Sequence, residues 1–308
     1  MQTILGAGGA IGTHLAKELT RYTNQIRLVS RNPQKVNESD ELVSADLTDA
    51  GSLDASIKGS EIVYLVVGLP YNKKIWNQKW PDIMANTIQA CQKHKAKLVF
   101  FDNMYMYDPA HLDHMTEDTP FRPVSKKGKV RAEIADLLLQ HMADHSITAL
   151  IARAPDFISV KNSVLTEMVI KNYLSGKKAN WFGRDDKIHQ FIWEKDAARA
   201  TAQLGNTDDA YQQTWHLPTD QSPRTGKDWI ELVAAQMKME PKYSTLSKLM
   251  VQLAGIFVPT IREFTEMLYQ YDRDYIFKSD KFENRFGWKA SDPKTAIENT
   301  IKQVKIEK

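Results

Sequence analysis

The stretch Gln2-Thr3-Ile4-Leu5-Gly6-Ala7-Gly8-Gly9-Ala10-Ile11-Gly12-Thr13-His14-Leu15-Ala16-Lys17-Glu18-Leu19 decides the fold. A strand-length run ends at Leu5, glycines follow, and from Ile11 the apolar residues recur at helical spacing. Glycine is scarce in this chain, 14 residues in all, yet four of them fall at positions 6, 8, 9 and 12. The spacing Gly6-x-x-Gly9-x-x-Gly12 matters more than the count. A phosphate is held at a helix N-terminus only if the backbone comes close with its N–H groups facing the ligand. Glycines permit the tight turn, the close approach and the packing of helix on strand. Strand, glycine turn and helix in this order point to a pyrophosphate site; a glycine-rich turn with no ligand is the plain alternative.

Working outward, short apolar runs alternate with amphipathic stretches through the first 155 residues. The expected strands are Gln2–Leu5, Ile26–Ser30, a shorter one at Leu42–Ala45, Ile62–Val67, Lys97–Asp102 and Ile147–Ala152. The expected helices are Ile11–Tyr22, Ser52–Ile57, Trp80–His94 and Lys126–His145. Repeated strand–helix–strand units with right-handed crossovers build an α/β, doubly wound parallel sheet of the Rossmann type. Beyond Pro155 the pattern becomes mainly helical, over Ser163–Ser175, Asp196–Leu204 and much of the chain after Thr225, with breaks at Pro241 and Pro259. Gln213–Leu217 reads as a strand returning to the sheet. The expected division is a nucleotide-binding domain over 1–155, joined by 190–218, and a smaller, mostly helical C-terminal substrate lobe over 156–189 and 219–308.

Composition removes several classes. The 308 residues are 42% hydrophobic and 26% charged, as in soluble globular proteins. Forty-one Lys and Arg against 38 Asp and Glu leave a net charge of +3, too small to point to a nucleic-acid partner. A single cysteine, Cys91, excludes an intrachain disulfide framework and a cysteine-rich zinc site and suits a cytoplasmic location. No run reaches the ~20 apolar residues of a membrane span, and no leader pattern opens the chain, so no membrane partner is expected.

The second strand ends Leu28-Val29-Ser30-Arg31-Asn32. An acidic residue there would bind a ribose 2′-hydroxyl and favour NAD. Arg31 instead offers a planar fork suited to a 2′-phosphate, with Ser30 and Lys35 nearby, so NADP is favoured over NAD. A solvated surface arginine is the bland competitor. After the third strand, Asp46 could accept from an adenine amino group; helix capping by Asp46 or Asp49 competes with that role.

Further matches join the glycine turn: Asp46-Leu47, Val66-Val67-Gly68, the run Asp102 to Tyr107, Lys129 before Ala132-Glu133, Arg153-Ala154-Pro155, and His189-Gln190-Phe191-Ile192 before Asp196. On these the chain resembles the short-chain dehydrogenase/reductase superfamily, and more closely its extended and atypical members of the NAD-dependent epimerase/dehydratase kind. The resemblance implies a cofactor set of Gly6, Gly8, Gly9, Ile11, Gly12, Arg31, Asp46, Leu47, Val67, Gly68 and Lys129. It also implies a Tyr-x-x-x-Lys pair, in which the lysine binds the nicotinamide ribose and lowers the pKa of the acid/base tyrosine. The lysine position matches Lys129 and the tyrosine position falls on Ser125, whose hydroxyl is far too weak an acid to substitute directly. Asn103 stands where the family carries Ser or Thr at the end of the fifth strand.

On a strand-like run Asn103, Tyr105 and Tyr107 point to one side, which makes Tyr105 the candidate for a relocated acid/base. A partly buried loop anchor is its alternative reading. Tyr71 is a second candidate that shapes the cleft. His189 occupies a place where related sugar-nucleotide enzymes carry a basic residue facing substrate, against a structural histidine. Lys126 and Lys127 read as a solvated helix start, and Trp181, Phe182 and Trp193 as lobe core. His111 with His114, and His141 with His145, lack a third ligand in the right motif, so no metal is expected. No G-x-S-x-G elbow appears, and Cys91 lies within a helix, so covalent nucleophilic catalysis has no support. Two functions follow as expectations. The first is an NADP-dependent oxidoreductase or epimerase/dehydratase-like enzyme acting on a small, sugar-nucleotide-like carbonyl or hydroxyl substrate, with a homodimer implied by the resemblance. The rival is an NADP(H)-binding regulator without turnover.

Overall fold

The computed structural model describes residues 1–307, apart from the side chain of Thr260. The chain begins β1 (Gln2–Leu5), α1 (Ala10–Leu19), β2 (Ile26–Ser30), β3 (Glu41–Ser44), α2 (Ala50–Ile57), β4 (Ile62–Leu65), α3 (Lys73–His94), β5 (Lys97–Asp102), α4 (Lys126–Ala143) and β6 (Ala149–Arg153). It continues β7 (Asp156–Ile158), α5 (Lys171–Leu174), β8 (Ala179–Phe182), β9 (Phe191–Trp193), α6 (Glu194–Gly205), β10 (Thr214–His216), α7 (Gly226–Gln236) and β11 (Tyr243–Leu246). The helices α8 (Lys248–Phe257), α9 (Pro259–Phe264), α10 (Asp280–Phe286) and α11 (Pro293–Ile306) follow.

These elements form two compact units. The first comprises Met1–Met106, Lys126–Ala154 and Ala197–Leu217; the second comprises Tyr107–Ser125, Pro155–Asp196 and the chain from Pro218. The segments 107–125 and 190–196 thus belong to the second unit, whereas the sequence pattern grouped them with the sheet.

In the first unit seven strands make one parallel sheet in the order β10-β6-β5-β4-β1-β2-β3. The chain moves outward from β1 to β3, then returns to place β4 on the other side of β1, so the order reverses between β1 and β4. Ligands of open α/β sheets bind at such a switch point, beyond the carboxyl ends of the strands. Every residue of β1 and β4 is buried, which is why these strands read as continuous rather than alternating patterns. The boundaries expected for β1, β2 and β5 are those observed. α3 differs: it starts at Lys73 instead of Trp80 and runs through Pro81. Asn72 caps it by accepting from the backbone N–H groups of Lys74 and Ile75, and Trp76 and Trp80 are buried on its inner face.

The second unit is less purely helical than its sequence suggests. It holds two small parallel sheets, β7 with β9 and β8 with β11. Each strand has three or four residues, too few to display a period of two. The helix expected over Ser163–Ser175 appears as a wide π-type turn at Thr166–Ile170 followed by α5. Trp181 and Phe182 lie in a core with Trp229, Ile230, Tyr271 and Ile297, in keeping with their reading as core residues.

Asp102 organises the carboxyl end of the sheet. Its carboxylate accepts from Arg131 on α4 at 2.8 Å, and from Arg153 at the end of β6 at 3.2 and 3.1 Å. All three side chains are buried. The Arg131 guanidinium also lies over the rings of Trp80 and Phe100, at 4.5 and 4.9 Å. Asp102→Ala leaves two guanidinium groups buried without their carboxylate. It should cost about 3–5 kcal/mol, read as a lowered urea midpoint. A Cβ on Gly12 would come within 2.7 Å of the Gly6 carbonyl oxygen and 2.8 Å of the Ala7 Cα. Gly12→Ala should therefore lose about 1–3 kcal/mol in the same measurement.

Candidate functional site

The glycine turn and the N-terminus of α1 form the first part of the site. Gly6 adopts φ +99°, and a Cβ there would stand 2.4 Å from the Val67 Cα. Only glycine meets both demands. Gly9 is the N-cap of α1, makes no side-chain cap hydrogen bond, and the first turn carries no acidic residue. A Cβ at Gly8 would meet nothing within 4 Å, and one at Gly9 only the Gly6 oxygen at 3.5 Å. Packing therefore does not demand glycine at 8 or 9. A side chain at Gly9 would stand at the helix entrance, where an anion's oxygens approach the free N–H groups. Ile11 and Gly12 are buried beneath this turn. The residues present fit a dinucleotide pyrophosphate.

At the end of β2, Arg31 is exposed. Its carbonyl accepts from the Ser44 hydroxyl at 2.9 Å, which holds the backbone there. Lys35 turns away and donates to the Glu38 carbonyl at 2.9 Å. The cap of α2 is Asp49, which accepts from the Ser52 N–H at 2.7 Å. Asp46 accepts instead from the backbone N–H and the hydroxyl of Thr48, at 3.0 and 2.8 Å. These bonds hold its exposed carboxylate below the usual range. Leu47 is buried, Val67 half-buried, and Gly68 exposed beyond β4.

The run beyond β5 does not continue as a strand. The Asn103 N–H donates to the Asp102 carboxylate at 2.8 Å, and the Asn103 side-chain oxygen accepts from the Tyr105 N–H at 3.0 Å. This Asx turn ends the alternation, so the expectation that Asn103, Tyr105 and Tyr107 share a side does not hold. Tyr105 stacks on Trp76 at 6.2 Å, whereas Tyr107 is fully buried against Phe121 in the second unit. Asn103 keeps its side-chain NH2 as a donor.

α4 turns Lys127 inward and leaves Lys129 exposed. Lys127 is 0% exposed, and its ammonium sits 4.4 Å above the Tyr71 ring. The reading of Lys127 as solvated is thereby corrected. It shares the helix face of Val130, Ile134 and Leu138, all buried, and that spacing was the signal available in the sequence. Tyr71 in turn meets Trp76 edge-on at 5.9 Å.

In the second unit, His189 is buried, and its Nε2 lies 3.0 Å from the Asp156 carboxylate. Its ring stacks with Tyr271 at 4.5 Å and with Tyr275 at 4.3 Å. The Tyr271 hydroxyl donates to the same Asp156 oxygen at 2.9 Å. Ser125 is buried immediately before α4. Burial pushes the phenol of Tyr269 up to about 12, with the Gln270 and Ser125 side chains opposing the shift. Burial pushes the Cys91 thiol up to about 12, which opposes thiolate chemistry.

Among the described residues, no helix is long and apolar enough to cross a membrane. No curated protein sequence matches the chain. Solved structures share its fold at low identity. The dTDP-glucose 4,6-dehydratase DesIV from Streptomyces venezuelae, with NAD and TYD bound, aligns at TM-score 0.80 and 12% identity over 99% of this chain and 97% of that one. A UDP-glucose 4-epimerase from Thermus thermophilus, in complex with NAD, aligns at TM-score 0.78 and 14% identity over 99% of both chains. MoeE5 in complex with UDP-glucuronic acid and NAD aligns at TM-score 0.78 and 17% identity over 100% of this chain and 99% of that one. The model of the NAD dependent epimerase/dehydratase family matches residues 3–215, which takes in all seven strands of the large sheet except the first residue of β1 and the last residue of β10. With the glycine turn, the switch point and this match together, the chain belongs to the NAD dependent epimerase/dehydratase family.

Proposed function

We propose that this protein is an NADP-dependent oxidoreductase or epimerase acting on a carbonyl or hydroxyl carbon of a small, sugar-nucleotide-like substrate. The observation that carries this reading is the N-terminus of α1, uncapped by any side chain and free of acidic residues in its first turn, behind the glycine turn. Gly6, Gly8, Gly9, Ile11 and Gly12 hold the pyrophosphate on backbone N–H groups and the helix dipole. Asp46 and Leu47 border the adenine, and Val67 and Gly68 flank the dinucleotide beyond β4. Arg31, the charged residue at the end of β2, receives the 2′-phosphate. DesIV, the Thermus epimerase and MoeE5 are described with NAD, which makes NAD the competing cofactor. Their nucleotide-sugar names support the substrate class. A cytoplasmic homodimer completes the reading.

When bound, the nicotinamide accepts or donates hydride at C4. This chain's residues do the rest. Lys127, which α4 turns inward, takes the place of exposed Lys129 as the cation at the nicotinamide ribose. The Asn103 amide donates to the substrate oxygen and polarises it together with Tyr105, while Tyr71 covers Lys127. His189 acts through Asp156 and the aromatic stack to shape the substrate lobe.

Ser125 at the tyrosine position favours the second reading, a protein that senses NADP(H) without turnover. Tight NADPH binding with no NADPH oxidation across a carbonyl panel would select it. Fluorescence titration should show NADPH binding more tightly than NADH. Arg31→Ala should lower NADPH affinity about tenfold, about 1.4 kcal/mol, and leave NADH unchanged. Equal affinities in the unsubstituted protein would remove NADP from the reading. Gly9→Ala should keep the urea midpoint and still weaken NADPH binding about tenfold, because its methyl group occupies the anion's approach rather than a packed contact.

A further inference from the structure

An ordinary surface helix turns its apolar stripe to the core and its polar face to water. In the second unit, α8 does the reverse. Its buried residues are Val251 and Gly255, and α9 packs close behind it: a Cβ on Gly255 would stand 3.0 Å from the Arg262 Cα. At about 100° per residue, Ile256, Leu249, Leu253, Phe257 and Met250 fall on the opposite side, within an arc of about 120°. All five are more than half exposed, from 51% for Met250 to 85% for Phe257. The helix is closed at both ends. Ser247 caps it by accepting from the Met250 N–H at 3.3 Å, and the Val258 N–H donates to the Ala254 carbonyl at 3.0 Å. A formed helix therefore holds this apolar face outward. Contiguous exposed faces of this kind mark contact with a protein or a membrane.

Charge decides between the two. From position 241 to 262 the charged residues are Lys242, Lys248 and Arg262, with no carboxylate among them. Lys242 pairs with Glu240 at 2.9 Å, whereas no ion pair engages Lys248 or Arg262 among the described residues, and both are exposed. Two copies meeting on a twofold axis would set this patch against itself. Lys248 and Arg262 would then face cations with no acid to answer them. The face is also narrow for a protein partner, since a standard interface takes about 20–30 residues from each side. An anionic lipid surface meets both conditions. Its acyl boundary takes the apolar side chains, and its phosphates take the cations, whose long stems carry the charge to the headgroups. We propose that α8 docks this protein on an anionic lipid bilayer, lying in the plane of the interface with its apolar face in the acyl boundary. A helix in that plane needs neither the length nor the unbroken apolarity of a membrane span. Docking requires no bound nucleotide.

Full-length protein is sedimented with vesicles of phosphatidylcholine, alone or with about one third phosphatidylglycerol. It should bind the anionic vesicles about tenfold more tightly and lose most of that advantage at high salt. Ile256→Ser with Phe257→Ser should weaken this binding about tenfold. The urea midpoint should stay in place, because both side chains are exposed. Lys248→Glu with Arg262→Glu should weaken binding about tenfold on the anionic vesicles and leave the neutral ones unaffected. Insertion is read separately. The chain's one cysteine, Cys91, is buried, so Val258→Cys takes a nitrobenzoxadiazole label selectively. Its emission should shift to the blue on anionic vesicles, whereas the same label at Glu38→Cys, exposed in the first unit, should not shift. Absence of binding to anionic vesicles, equal binding to both kinds, or binding that survives Ile256→Ser with Phe257→Ser overturns the inference. An oligomer that falls apart with that double substitution, read by light scattering, places a second copy on this face and overturns it too.

Discussion

Asp102 holds one carboxylate between the guanidinium groups of Arg131 and Arg153 where almost no water reaches. Neither arginine would tolerate this burial without the carboxylate, and the Arg131 guanidinium is further covered by the aromatic faces of Trp80 and Phe100. Three elements are tied by it: β5, which ends in Asp102; β6, which ends in Arg153; and α4, which carries Arg131. The same carboxylate receives the Asn103 N–H, so the first residue past the strand is fixed in direction. Asn103 then turns the chain by accepting from Tyr105. The carboxyl end of the sheet is thus shaped by charge pairing before any ligand is considered.

At the same carboxyl end of the sheet, beyond β1, the glycine turn is shaped by omission. Gly6 and Gly12 are required because atoms added there would collide with Val67 and with the turn itself. Gly8 and Gly9 are not required for packing, and their bareness leaves the N-terminus of α1 open. A backbone that offers N–H groups without side chains binds an anion with little reorganisation, since the helix already holds its dipoles in place. The buried polar side chains follow a different logic. Lys127 is buried against Tyr71, and His189 is buried between the rings of Tyr271 and Tyr275. Groups of this kind depend on their surroundings for their orientation.

The strands of the large sheet, the glycine turn and the parallel class were legible because each depends on residues close together in the chain. A short apolar run bounded by turn residues can be read locally, as can a 6–9–12 spacing ahead of a helical pattern. The strands of the second unit were not legible, since three or four residues carry too little periodicity. α3 was expected to start at Trp80, with Pro81 in its first turn, whereas the helix begins at Lys73 and burial of Trp76 and Trp80 sustains it through that proline.

The candidate site divides along the same line. Gly6 to Gly12, Arg31 and Asn103 could be named as candidates from sequence because their places at the end of a strand or the start of a helix are set locally. The inward turn of Lys127 needed the burial of one face of α4, which only its packing partners define. Asp102 meets arginines 29 and 51 residues away, and His189 meets an aspartate 33 residues before it. No local rule specifies such meetings. Local spacing therefore set the large sheet and the glycine turn, and long-range burial and charge pairing decided which lysine α4 buries and which charged groups meet, because those partners are fixed only by the packing of distant segments.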